Sequence, residues 1–253
     1  MNKRDIIEAV SRDERELDWR RHQTIEFVEP SPDLAMWVAR YWHVEWRYDQ
    51  PYRQLVVPYP NVHLSFHDTT AGIHGVSSGH VFKELVGAGT VLGVAFRPGC
   101  FRPFLGRPVS TITDLDIPVD DVFHGWPAKC EIPAVEDFLR ANLPAADPRA
   151  ELAAAIVDRI AGGPEIVRVD VLAKEYDTTV RRLQRLFAEY VGVGPKWVIR
   201  RYRLHEVTER MARGSAIDWA GLAADLGYAD QAHFTRDFTA MFGESPTTYA
   251  ARY

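Results

Sequence analysis

The rhythm of apolar and polar positions changes partway along this chain. Over roughly the first hundred residues the apolar positions come in short runs: "WHVEW", "QLVVP", "VHLSF", "AGIHGV" and "TVLGVAF". They alternate or are β-branched, and Pro, Gly and Asn separate them, which predicts the strands of a small antiparallel sheet or barrel. "SPDLAMWVARYW" reads instead as a short helix, with Ser31 or Asp33 as its cap. "EDFLRANL" and "RAELAAAIVDRIAGG" carry helical spacing, and "PAADP" and "GGP" break it. From residue 165 onward the period is helical throughout, predicting helices over 168–175, 179–190, 196–213, 218–226, 230–242 and 247–252. The expected fold class is α+β. A strand-rich, barrel-like domain would occupy 1–145, a helical linker 146–164, and an all-α domain 165–253.

The helical part contains one unit twice. "LQRLFAEYVGVGP" (183–195) aligns with "FTRDFTAMFGESP" (234–246) at a constant offset of 51, pairing Leu183 with Phe234, Arg185 with Arg236, Phe187 with Phe238, Gly192 with Gly243 and Pro195 with Pro246. Upstream, "VLAKEYDTT" aligns with "GLAADLGYAD" at an offset of 50. A short helix, a tight turn and a longer helix make a helix-turn-helix unit, whose second helix lies in the DNA major groove. In the first copy, Leu183, Leu186, Phe187 and Tyr190 share one face; Arg181 and Arg185 stand opposite, with Arg182 and Gln184 beside them. In the second, Phe234, Phe238, Met241 and Phe242 face inward, and Ala232, His233 and Arg236 face outward. Arginine can fork guanine O6 and N7, and glutamine can read adenine. One outward arginine ordinarily just solvates a helix; the same arginine in both copies gives base readout its weight.

Between the copies lies "PKWVIRRYRLHEVTERMARG", with Pro195 at a favoured helix start. Trp197, Ile199, Tyr202, Leu204 and Val207 would pack on both units and fix their spacing. Two readers so held could enter successive major grooves roughly 34 Å apart. Arg200, Arg201 and Arg203 are candidate phosphate contacts, with a merely solvated basic stripe as the equal alternative.

Charge sharpens this picture only locally. The 253-residue chain has net charge −5, which taken whole argues against nucleic acid. Residues 164–253, however, hold 13 basic and 12 acidic residues, and 181–213 alone hold nine Arg or Lys against three Glu, a net +6. A local patch attracts phosphate regardless of the total. The N-terminal stretch "MNKRDIIEAVSRDERELDWRR" has no apolar signal-peptide core, and no run reaches membrane-span length, so a cytoplasmic protein is expected. No nucleophile elbow, phosphate loop, zinc-protease motif or convincing carboxylate pair is present, so no enzyme is expected.

Residues 165–253 resemble the DNA-binding domain of the AraC/XylS family of bacterial transcription regulators, on "LQRLFAEYVGVGPKWVIRRYRL" and "LAADLGYADQAHFTRDFTAMFGESPTTY". The resemblance implies that the second helix of each unit reads bases. Carried over, the first reader offers Arg181, Arg182, Gln184 and Arg185, the second Gln231, Ala232, His233 and Arg236. Ala232 departs from the long polar readers and could reach only a thymine methyl. Further upstream, "VVPYPNVHLSFHDTTAGIHGVSSG" and "KELVGAGTVLGVAFRPGCFRPFLGRPVSTITDLDIPV" are similar to an uncharacterised domain that precedes this DNA-binding domain in many bacterial regulators. A sensing or dimerising role is implied there, with no ligand named. The implied partners are double-stranded promoter or operator DNA, RNA polymerase and a small-molecule effector; a homodimer stays open, and no cofactor and no membrane are expected.

Within the N-terminal part, Trp37, Trp42, Trp46, Tyr48 and Tyr52 are core or pocket aromatics. Trp42, Trp46, His63 and Arg97 are the candidate effector residues. His63 and His67 would share a strand face, with His43 and His80 as further imidazoles, but no carboxylate or cysteine completes a metal spacing and no metal is expected. Cys100, between Arg97 and Arg102, is a redox switch only if its thiolate is stabilised; Cys130 is the other thiol. The rival reading is a small-molecule-binding protein whose helical domain mediates protein contacts.

Overall fold

The computed structural model describes residues 22–67, 70–127, 131–212 and 217–251, so the charged N-terminal stretch and Cys130 lie outside the described residues. The N-terminal part holds a six-stranded antiparallel sheet of β1 (Gln23–Val28), β2 (Val38–Val56), β3 (His63–His67), β4 (Thr70–His74), β5 (Val81–Phe96) and β6 (Asp116–Pro118), in the order β1-β2-β5-β3-β4-β6. The α+β class holds. The sheet is open, with β1 and β6 as edges and no ladder joining them among the described residues, so it does not close as a barrel. "WHVEW" and the first three residues of "QLVVP" belong to one long strand, β2, which pairs with β5 along most of its length. Their register shifts between Tyr48 and Tyr52, around Pro51, which has no N–H for the ladder.

Residues 32–37 form turns and not the expected helix. Ser31 and Asp33 do not cap. Ser31 donates its backbone N–H and hydroxyl to Glu136, and Asp33 accepts from Arg140, both partners lying on α2 (Ile132–Ala141). The pull of a packed tertiary partner outweighs local helix signals here.

One sheet face carries Tyr41, Leu64, Phe66, Ile73, Leu92 and Val94 into an apolar core. Phe101, just before α1 (Arg102–Leu105), Phe123, and Val135, Phe138 and Leu139 of α2 cover it. The same cluster continues into α3 (Pro148–Gly162) through Ala153, Ile156, Val157 and Ile160. It reaches α4 (Val169–Glu175) and α5 (Val180–Tyr190) through Leu172, Leu183, Phe187 and Tyr190. Residues 148–162 are helical as expected, but buried on one side between the sheet core and the first repeat.

The long helix α6 (Pro195–Ala212) joins two clusters. Val198 and Ile199 sit in the first; Leu204, Val207 and Met211 sit in the second, with Leu222 of α7 (Trp219–Asp225), Phe234, Phe238 and Phe242 of α8 (Gln231–Phe242) and Tyr249 of α9 (Pro246–Ala250). One helix therefore packs on both repeats and sets their separation. No described helix is long and apolar enough to cross a membrane.

Candidate nucleic-acid interface

The two repeats fold alike down to their turns. After α4, Asp177 takes a left-handed conformation (φ 44°), and Thr178 N–H returns to Ala173 O at 2.9 Å. After α7, Gly227 does the same (φ 75°), and Tyr228 N–H returns to Ala223 O at 2.9 Å. The second turn holds one more residue, Ala229, which accounts for the change of offset from 50 to 51. Thr179 then caps α5 by accepting from Arg182 N–H at 3.2 Å, and Asp230 caps α8 by accepting from His233 N–H at 2.7 Å. Both longer helices end at a left-handed glycine, Gly192 and Gly243.

This geometry sorts the side chains as the periodicity predicts. On α5, Leu183, Leu186, Phe187 and Tyr190 are buried, and Arg181, Arg182, Gln184 and Arg185 are exposed. On α8, Phe234, Phe238, Met241 and Phe242 are buried, and Gln231, Ala232 and Arg236 are exposed. His233 is different. Its Nε2 lies 3.3 Å from Arg200 Nη2 and 3.6 Å from Asp237, and Arg200 is itself paired with Asp237 at 2.9 Å. An expected reader and an expected phosphate contact are thus tied to each other and to a carboxylate.

Arg201 and Arg203, expected at phosphate, are only 0% and 1% exposed, so in this arrangement neither reaches DNA. Arg201 donates Nε–H to Pro58 O and lies over the Tyr59 ring, 3.9 Å from its centroid. Arg203 donates to Ile160 O and pairs with Glu206. Periodicity did not reveal this because α6 is covered on more than one side. Two of the nine basic residues in the +6 stretch are therefore inside the molecule and add little to its surface potential.

Sequence reasoning also missed how both repeats attach to the N-terminal part. Thr113 donates to Gly192 O at 2.8 Å, and Arg102 reaches Glu189 of α5 at 3.2 Å. Trp197 donates Nε1–H to Ser78 O at 2.7 Å, and His80 donates its backbone N–H to Ala240 O of α8 at 3.3 Å. These contacts come from loops and strand ends, where no periodic signal announces them.

Of the four candidate effector residues, two are brought together. Trp42 donates Nε1–H to Nδ1 of His63 at 3.2 Å. Burial, reinforced by nearby His74 and Arg40, pushes His63 down to a pKa of about 3. Trp42 lies over Gly93, where an added Cβ would fall 2.0 Å from the ring, and Trp46 lies over Gly89 further along. Arg97 instead pairs with Asp158 of α3 at 2.7 Å. Beside Trp42, Ser65, His74 and Asp116 form a chain with both links at 2.7 Å. That is the order of a nucleophile triad, but Ser65 is 2% exposed in a strand paired on both sides, which leaves no accessible nucleophile. His43 bonds Thr90, and among the described residues no three His, Cys, Asp or Glu side chains are grouped to hold a metal. Cys100 is buried, and burial raises its thiol to about 11 against the pull of Arg97, which opposes a reactive thiolate.

Two capped helix-turn-helix units on one bridging helix define a DNA-binding module. Residues 172–252 match the family described as "Helix-turn-helix domain", and this region belongs to the AraC type of that domain. Residues 26–118 match "Domain of unknown function (DUF6597)". No curated protein matches the chain. Similar solved structures include ToxT from Vibrio cholerae (10% identity, 91% of this chain and 98% of that one, TM-score 0.42). Others are unsaturated fatty acid-bound wild-type ToxT from Vibrio cholerae strain SCE256 (11%, 90% and 95%, 0.40) and Vibrio cholerae O395 ToxT bound to (E)-4-(8-methylnaphthalen-1-yl)but-3-enoic acid (11%, 91% and 99%, 0.41). Those values are too low to transfer anything to this chain. The domain match itself marks a DNA-binding transcription regulator.

Proposed function

We propose that this regulator binds promoter DNA sequence-specifically, with α5 and α8 in successive major grooves. The observation carrying this is the duplicated unit that buries its apolar face and leaves an arginine, Arg185 or Arg236, outward at the same position. Arg181, Gln184 and Arg185 would read one groove; Gln231, Ala232 and Arg236 would read the other. His233 joins the second set once DNA competes with its Asp237 network.

The domain assignment is 1–145 for sensing or dimerisation, 146–164 for the connecting helix and 165–253 for DNA. The Trp42–His63 pair is the favoured place for an effector, since it joins a half-buried imidazole to an aromatic wall. An effector acts only by binding two states unequally. The contacts from Ser78, His80, Arg102 and Thr113 to the two repeats are the route by which such a difference would reach DNA. The regulator would act in the cytoplasm, through RNA polymerase at the promoter, alone or as a pair of copies.

Hydroxyl-radical footprinting on a selected site tests the arrangement. Two protected blocks on one face of the duplex, roughly 10 base pairs apart, are expected. A single block that survives Arg236→Ala unchanged would remove α8 from the groove.

A further inference from the structure

A cleft of about 500 Å³ opens between α3 and α5. Arg149 and Leu152 line it from α3, and Arg182, Arg185 and Glu189 from α5, with Thr178 at one end. Its single acid is already engaged: Glu189 is held at 3.2 Å by Arg102 of α1. Asp147, at the start of α3, caps it by accepting from Arg149 N–H and also accepts from Tyr190 Oη. Arg149, Arg182 and Arg185 have no carboxylate partner among the described residues, and Arg149 is steadied over the Tyr190 ring, 5.2 Å from its centroid. Guanidinium groups gathered around one cleft without a carboxylate partner repel one another unless an anion lies among them.

The position of the cleft decides which anion. On α5, successive residues turn by about 100°. Arg181, Gln184 and Arg185 centre on the side opposite the buried face; Arg182 is rotated from them toward α3, on the side that carries Glu189. A helix lying in a major groove presents its flank to the backbone of the DNA beside that groove. Guanidinium forks match phosphate oxygens.

We infer that the cleft between α3 and α5 seats a backbone phosphate of the operator, held by Arg149 and Arg182, with Arg185 at the border between cleft and groove. This rests on the DNA-binding reading above and deepens it. Arg149 lies outside the matched helix-turn-helix segment, residues 172–252. Arg182 becomes a positioning contact and not a base reader. Arg102 keeps the cleft cationic: Glu189 is four residues after Arg185, the spacing of a helical ion pair, and without Arg102 it would turn to Arg185.

The test uses the full chain, a duplex carrying its selected site and a scrambled duplex of equal length, across a series of KCl concentrations. Arg149→Ala and Arg182→Ala should weaken binding to both duplexes by the same factor, and each should reduce the slope of log K against log salt by roughly one. Arg149→Lys should keep most of the slope. Arg102→Ala should also weaken binding, and adding Glu189→Gln should restore it, which a purely structural role for Arg102 would not allow. Arg53→Ala, which removes the same charge from the sheet, should leave the slope unchanged. If the wild-type chain prefers its site and Arg149→Ala keeps the full slope, the cleft does not hold a phosphate. A change of preference between duplexes in Arg149→Ala would overturn the assignment as well. If the wild type binds neither duplex, the DNA-binding reading itself fails.

Discussion

Lowering the pH from about 7.5 to about 5 should destabilise the chain through His63, by an amount that linkage fixes. The ring's ordinary pKa of 6.5 is pushed down to about 3 by burial first and by the neighbouring His74 and Arg40 next. The unfolded chain therefore takes up this proton at a higher pH than the folded chain. The sign follows: the contribution is complete above pH about 6.5 and is lost as pH falls toward about 3. Each pKa unit is worth about 1.4 kcal/mol, so the first 1.5 units below the unfolded value remove about 2 kcal/mol by pH 5. A local consequence accompanies this. Trp42 donates to Nδ1, so protonating that nitrogen destroys the acceptor and breaks the 3.2 Å bond. Urea unfolding followed by tryptophan fluorescence at the two pH values measures the loss. His63→Gln keeps a side-chain acceptor but cannot titrate, so its loss between the two pH values should be smaller than that of the wild type by about 2 kcal/mol. Equal losses in the two proteins would refute the reasoning, because the difference between them cancels every other titrating group.

Three further perturbations follow from packing. Phe238 is fully buried against Phe234, Phe242 and Tyr249, with ring centroids 5.9, 4.5 and 5.5 Å away. Phe238→Ala should cost about 3–5 kcal/mol and melt the second repeat; a variant that melts like wild type yet loses DNA would contradict its core assignment. Gly93→Ala places a methyl 2.0 Å from the Trp42 ring and should cost about 1–3 kcal/mol, displacing that ring and changing its fluorescence. Arg201 is buried with Nη1 and Nη2 unpartnered among the described residues. Arg201→Met should therefore be neutral or stabilising in urea unfolding, by up to about 3 kcal/mol; a loss of that size would show that the guanidinium earns its place through Pro58 O and the Tyr59 ring.

The helical part was legible because each of its signals is local. The 3.6-residue period, the duplicated tight turn, and the Gly and Pro that follow each longer helix all lie within the segment they define, so the six helix ranges fall within about two residues of those observed. The outward placement of Arg185 and Arg236 was legible for the same reason. What escaped depends on distant partners. Ser31 and Asp33 resemble helix caps until Glu136 and Arg140 are placed beside them. β1 and the three-residue β6 have strand character only as sheet edges. Arg201 and Arg203 read as surface charge on any single-helix pattern, and only the packing of α6 against Tyr59 and Ile160 puts them inside. In the N-terminal part, alternation located strands but could not say which side chains meet. Hence Trp42 and His63 are neighbours, whereas Arg97 pairs with α3.

The central claim is that two outward faces on one chain read two blocks of sequence. Selection of binding sites from a random DNA library, at fixed near-physiological salt, tests it most directly. The full chain and the Arg185→Ala/Arg236→Ala variant would be compared side by side. The account predicts an enriched motif of two blocks separated by about one helical turn, lost in the variant. The same motif enriched equally by both proteins, or none enriched by either, would contradict it.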